Sequence, residues 1–229
     1  MDILFPRLSG ALVASLNKQY KHFPALKPIS EEDIAKTTTH KAMLFEIAVA
    51  YAELLIGSDN QASWEVAVEV AARRQRRHYN AKVPTSWTKT DVDIATHAAT
   101  NLVYMLKWLQ TEIPGSHVVS EPSIPGMGWI ASGKGDFSIG KTLIEVKHTD
   151  RNFMSRDFKQ VLMYWLLNYA YTIENDGVSW THLIMLNPRR NIILQLEFDT
   201  LLISASSNSN RVELSEQLRA IVNSNPDWN

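Results

Sequence analysis

The sequence predicts an α/β fold of the α+β kind, with a helical N-terminal region packed on a β-rich core, and three observations carry that prediction. Apolar residues in roughly the first hundred positions recur at helical spacing. After His117 the texture changes to short β-rich runs punctuated by Gly and Pro. Helical spacing then returns over 155–171, with two further strands behind it. Residues 1–112 are accordingly read as a helical region of the same domain, and 113–229 as its core.

Taken in order, the opening MDILFPRLSGALVASLNK holds a short apolar patch broken by Pro6, Arg7 and Gly10. That predicts an amphipathic first helix rather than a signal peptide. Over 39–55, Met43, Leu44, Ile47, Val49, Ala50 and Leu54 follow helical spacing, and Gly57 marks the stop. A second helix covers 62–78. A third starts after Thr90 or Asp91, carries Ile94, Leu102, Val103, Leu106 and Leu109, and ends before Pro114. Residues 117–121 read as a strand, PSIPGMG as a turn-rich link, and 129–132 as a short strand. Two β-rich segments, 136–139 and 142–147, flank Gly140-Lys141. After the helix over 155–171, THLIMLNPRRNIILQLEF reads as two strands about Asn187-Pro188, with Arg189-Arg190 facing solvent at the turn. A closing helix spans 212–222. No internal repeat is visible, and SASSNSN near residue 205 is the one low-complexity stretch.

Composition narrows the chemistry. The length of 229 residues suits one domain of generous size, and apolar and charged shares of 45% and 21% are ordinary for a soluble globular protein. No run is long enough to span a bilayer. The absence of cysteine removes disulfides, thiolate zinc sites, cysteine-ligated iron–sulfur clusters and a catalytic thiol. With no export signal read, the expected location is cytoplasmic. A formal charge of −1 means that nucleic-acid binding must come from local patches rather than bulk attraction.

The stretch GDFSIGKTLIEVK, residues 135–147, admits two readings. Its first eight residues match the phosphate-loop pattern GxxxxGK[ST], which needs a helix to start at the Lys-Thr. LIEVKH instead alternates with period two, so the required context is missing. A β-hairpin fits better, because Gly at the first central position of a two-residue loop marks a type II′ turn. Counting outward from Gly140-Lys141 pairs Ile139 with Thr142, Ser138 with Leu143, Phe137 with Ile144 and Asp136 with Glu145. One face carries Phe137, Ile139, Ile144 and Val146. The other carries Asp136, Ser138, Glu145 and Lys147. Opposed carboxylates repel, and a divalent cation between them turns repulsion into binding. A nearby lysine can then position water or offset charge in a phosphoryl transition state. A solvated hairpin face would show the same residue types.

These residues resemble the core of the PD-(D/E)xK nuclease superfamily. Gly133-Lys134-Gly135-Asp136 is similar to the G-x-x-D form of its second motif, and Glu145-Val146-Lys147 to E-x-K. Gln160 and Tyr164 match the Q-x-x-x-Y motif of the RecB-like branch. The helix supports them, since both lie to one side of an apolar stripe formed by Phe158, Val161, Leu162, Trp165, Leu166 and Tyr169. The likeness covers about 118–171, extends more loosely to LNPRR, and implies a restriction-endonuclease-like mixed sheet flanked by helices.

It further implies a Mg²⁺- or Mn²⁺-dependent deoxyribonuclease hydrolysing DNA phosphodiesters, in repair, phage or mobile-element DNA processing, or defence. Asp136 and Glu145 would hold the metal with the Val146 carbonyl, and Lys147, Gln160 and Tyr164 would complete the catalytic set. An upstream helix often adds His or Glu, for which His40 and Glu46 are the candidates, His97 a rival and Glu121 a further ligand. Endonucleolytic and exonucleolytic cleavage, single- and double-stranded DNA, and a homo-oligomer or partner protein all stay open. So does a non-catalytic nucleic-acid-binding or assembly subunit on the same fold.

For nucleic acid itself, RRQRRH at 73–78 with Lys82 is the densest basic cluster, and Arg73, Arg76 and Arg77 share a helical face. A solvated helix end would look the same. Arg151, Arg156 and Lys159 fall near the proposed metal. Trp87 and Tyr79 are candidates for base stacking, beside their ordinary use in a core.

Overall fold

The computed structural model of the protein describes residues 1–57, 62–76, 86–113 and 117–224. Ser9 caps the first helix, α1 (Gly10–Asn17), by accepting from the Leu12 N–H, and a short strand β1 (Lys21–His22) and helix α2 (Glu31–Ala35) follow. Three longer helices come next: α3 (Lys41–Ile56), α4 (Trp64–Gln75) and α5 (Lys89–Glu112). α5 starts two residues before the earliest predicted position because Thr88 and Asp91 form a capping box at its N-terminus. Strands β2 (Val118–Ser120), β3 (Ser123–Ile124), β4 (Gly133–Lys134), β5 (Phe137–Ile139) and β6 (Thr142–Val146) lead into α6 (Ser155–Glu174). The chain ends in β7 (His182–Asn187), β8 (Ile192–Glu197), α7 (Phe198–Ala205) and α8 (Arg211–Asn223).

Six strands form one mixed sheet in the order β1-β8-β7-β6-β5-β2. Only β6 and β7 run parallel, and α6 makes the crossover between them, as a parallel pair requires. Phe137, Ile139, Ile144, Val146, Ile184 and Leu186 face a core completed by α3, α4 and α5. Leu143, Leu183, Met185 and Leu194 face a second core built from α6, α7, α8 and the N-terminal segment. The sheet is therefore covered on both sides, and β1 makes the N-terminal region a contributor to it.

Four expectations are corrected. PSIPGMG contributes Ser123–Ile124 to a separate two-stranded sheet with Gly133–Lys134, whereas 129–132 is no strand and only Met127 and Ile130 bridge there. The loop doubles back so tightly that a Cβ on Gly126 would stand 2.7 Å from the Ile130 carbonyl oxygen. α7 was not expected, although Phe198, Leu201, Leu202 and Ala205 are the buried stripe of a helix. Arg189 does not face solvent: it is 4% exposed, paired with Glu31. No helix among the described residues is long and apolar enough to cross a membrane.

Candidate active site

The turn at Gly140-Lys141 sets the geometry. Gly140 takes φ 53°, and Lys141 is not among the residues at positive φ, the combination of a type II′ turn. The ladder pairs Phe137 with Ile144, Ser138 with Leu143 and Ile139 with Thr142, in the register counted from the sequence. It stops one step short of Asp136 and Glu145. The Asp136 carbonyl instead accepts from the Glu121 N–H at 3.0 Å, and its carboxylate accepts from the Val146 N–H at 2.7 Å.

The polar hairpin face is not solvated, because α6 covers it. Glu145 is 1% exposed and holds Lys147 through an Oε1–Nζ contact of 2.6 Å. Lys147 also donates to Gln160 Oε1 at 2.9 Å, and Gln160 Nε2 donates to the Tyr164 hydroxyl at 2.9 Å. Residues four apart on α6 thus form one chain leading to the E-x-K lysine. The second Glu145 oxygen, Oε2, is buried without a partner among the described residues.

Burial, reinforced by the neighbouring Asp136 charge, pushes the Glu145 carboxyl up to about 8. Burial raises Asp136 as well, against the opposing pull of the Val146 N–H and Lys147. For Lys147, burial works against the charged form, but Glu145 and Asp136 outweigh it and hold the ammonium above its ordinary value. Two carboxyls whose charged forms burial disfavours and a protonated lysine therefore converge at the end of the hairpin.

Asp136 and Lys147 open onto a cleft of about 390 Å³ between the hairpin and the helices α3 and α4. Glu46 lines it too, as does Glu121, whose backbone takes φ 49°. A residue the sequence reading passed over dominates the far wall. Arg74 meets Glu53 at 2.7 Å, Glu121 at 3.2 Å and Glu46 at 3.5 Å. Its spacing of three and seven from the buried Ala71 and Ala67 marks it as the inward-facing arginine of RRQRR. Burial raises the Glu53 carboxyl to about 7 despite Arg74. His148 was also missed. It lines the cleft, stacks on Phe45 with centroids 4.7 Å apart, and has both ring nitrogens buried without partners among the described residues. Burial, then the charge of Arg189, lower its pKa to about 3, so the ring is neutral. Lys41 and Lys134 supply cations at the lining.

The other predicted residues lie elsewhere. His40 is the exposed N-cap of α3, its Nδ1 accepting from the Ala42 N–H, and it is not part of the cleft lining. His97 meets the Lys27 carbonyl at 3.1 Å. Arg73 is exposed beside Glu69, and Arg76 is the C-cap of α4. Arg77, Tyr79 and Lys82 lie outside the described residues. Trp87 packs edge-on against Trp64. Arg151 holds Asp157 at 2.8 Å, Lys159 pairs with Asp2, and Arg156 stays exposed, 3.9 Å from Asp157.

The donor set suits a hard divalent ion. It offers two carboxylates, one with an unpartnered buried oxygen, beside the Val146 backbone. Among the described residues no three His, Cys, Asp or Glu side chains form a metal-holding group, so an ion here would rest on Asp136 and Glu145, with backbone carbonyl or water oxygens completing its shell. No family model, curated protein or solved structure matches the chain.

Proposed function

We propose that the protein is a metal-dependent nuclease on a restriction-endonuclease-like core, hydrolysing DNA phosphodiester bonds at the Asp136–Glu145–Lys147 end of the hairpin. One observation carries the reading. Glu145 is buried with an unpartnered oxygen, beside a lysine braced by Gln160 and Tyr164. A fold gains nothing from an under-satisfied buried carboxylate next to a second one, whereas an ion-binding site uses both. The mixed sheet flanked by helices supports the same reading.

In this account Asp136, Glu145 and the Val146 carbonyl hold Mg²⁺ or Mn²⁺. When bound, that ion supplies Lewis acidity toward the phosphate and acidifies a water. Lys147, kept protonated by its carboxylate neighbours, offers an N–H to the negative charge that develops on the phosphoryl oxygens. Gln160 fixes the ammonium in place, and Tyr164 fixes Gln160. Exposed Arg156 and the cleft-lining Lys134 would contact the flanking backbone.

The test is incubation of labelled single- and double-stranded DNA, end-blocked and free-ended, with the protein and Mg²⁺ or Mn²⁺. Cleavage should need the ion and vanish in Lys147→Ala. DNA binding without cleavage by the wild type would favour the non-catalytic subunit. Undiminished cleavage by Lys147→Ala would remove the lysine from the mechanism.

A further inference from the structure

The Arg74 cage has no part in the chemistry just described. Its three carboxylates come from two elements: Glu46 and Glu53 from α3, and Glu121 from the turn after β2. One guanidinium, side chain 20% exposed, thus serves three acids, more than its charge can neutralise. The contacts are graded. Glu53 is held closest and is the most buried of the three, whereas Glu46 is held most loosely, at 3.5 Å. Glu46 lines the cleft with Asp136 and raises the Asp136 carboxyl through its charge. His148 lines the same cleft, and both of its buried ring nitrogens lack partners among the described residues, a second under-satisfied polar group on this wall.

We propose that Arg74 is the cleft's internal counter-cation: it neutralises the glutamate cage in the metal-free protein and sets divalent-ion affinity by competing for Glu46. This rests on the proposed metal site and deepens it. Arg74 is a positioning residue here, acting through Glu46. Without it, the cleft that Asp136 also lines loses a positive charge, and a doubly charged cation gains from that. Glu46 is then free to turn toward the ion.

Calorimetric titration of Mn²⁺, with no DNA present, tests it. Arg74→Gln should bind the ion about tenfold more tightly than wild type. Arg74→Lys, which keeps the charge, should stay within about threefold. Unchanged or weaker binding by Arg74→Gln, with normal binding by the wild type, overturns the inference and leaves Arg74 a structural clip. A wild type that takes no Mn²⁺ overturns both this inference and the proposed function, so the two failures are distinguishable. Should Arg74→Gln fail to fold, the wild-type Arg74 side-chain N–H resonance gives the answer, assigned by its loss in Arg74→Lys. It should shift on Mg²⁺ addition and saturate with Mg²⁺ binding. A resonance unmoved at saturation overturns the proposal.

Discussion

Asp91 and Glu145 are both buried carboxylates, and the protein treats them in opposite ways. Asp91, at the first turn of α5, accepts from the backbone N–H groups of Thr38, Thr39 and Thr88 and from the hydroxyls of Thr38 and Thr88. Those donors outweigh burial and hold its carboxyl well below the usual range. Glu145 has one donor, Lys147, and an oxygen with none, so burial wins and its carboxyl is pushed up. On the proposed function, the contrast separates a structural charge from a reactive one. Asp91, which caps α5, is saturated with donors, and Glu145, the proposed ligand, is not.

The largest expected effect falls on the reactive side. Lys147→Ala should lower cleavage by about a thousandfold or more, roughly 4 kcal/mol of transition-state stabilisation, in an assay at saturating Mg²⁺. On the structural side, Asp91→Ala strands several N–H and O–H donors and should cost about 3 kcal/mol in urea unfolding while leaving Mg²⁺ binding intact. An Asp91→Ala variant as stable as wild type would erase the distinction. Glu145→Gln should do the reverse, raising metal-free stability by about 1 kcal/mol near pH 8 and removing metal-induced stabilisation.

The two groups also predict opposite pH windows. Glu145 has a folded pKa raised from 4.5 to about 8, so the folded state holds a proton that the unfolded chain has lost. Its contribution is complete below the unfolded value and disappears as pH rises toward 8. Glu53, raised to about 7, acts in the same direction. Asp91 has a lowered pKa, so its contribution is present above 3.8 and lost only on acidification below that. Metal-free unfolding free energies from pH 5 to 8 should therefore fall, and Glu145→Gln should flatten the decline. The smallest effect belongs to Arg156, exposed and loosely paired. Arg156→Ala should leave the unfolding midpoint unchanged and reduce the salt slope of DNA binding by about one.

How much of this was legible in the sequence depended on how local the determinant was. Gly140-Lys141 fixes a turn within two residues, and the register followed by counting. Gln160 and Tyr164 lie one helical turn apart, so their adjacency also followed from spacing. Burial of the Glu145 face could not be read, because it depends on α6 folding back across the sheet. Arg74 shows the boundary most clearly. Its inward direction was available from Ala67 and Ala71, but its partners come from other elements that only the fold brings together. Arg73, Arg76 and Arg77 were grouped by their shared helical face, whereas the Arg74 face becomes informative only once its partners are in place.

The account stands most directly on Asp136 and Glu145 acting as an ion-binding pair. Calorimetric titration of Mg²⁺ into wild type and into Asp136→Asn, each shown to be folded, measures this without any DNA substrate. Binding by the wild type and none by Asp136→Asn is the predicted result. Equal binding by both proteins, or binding by neither, would contradict it.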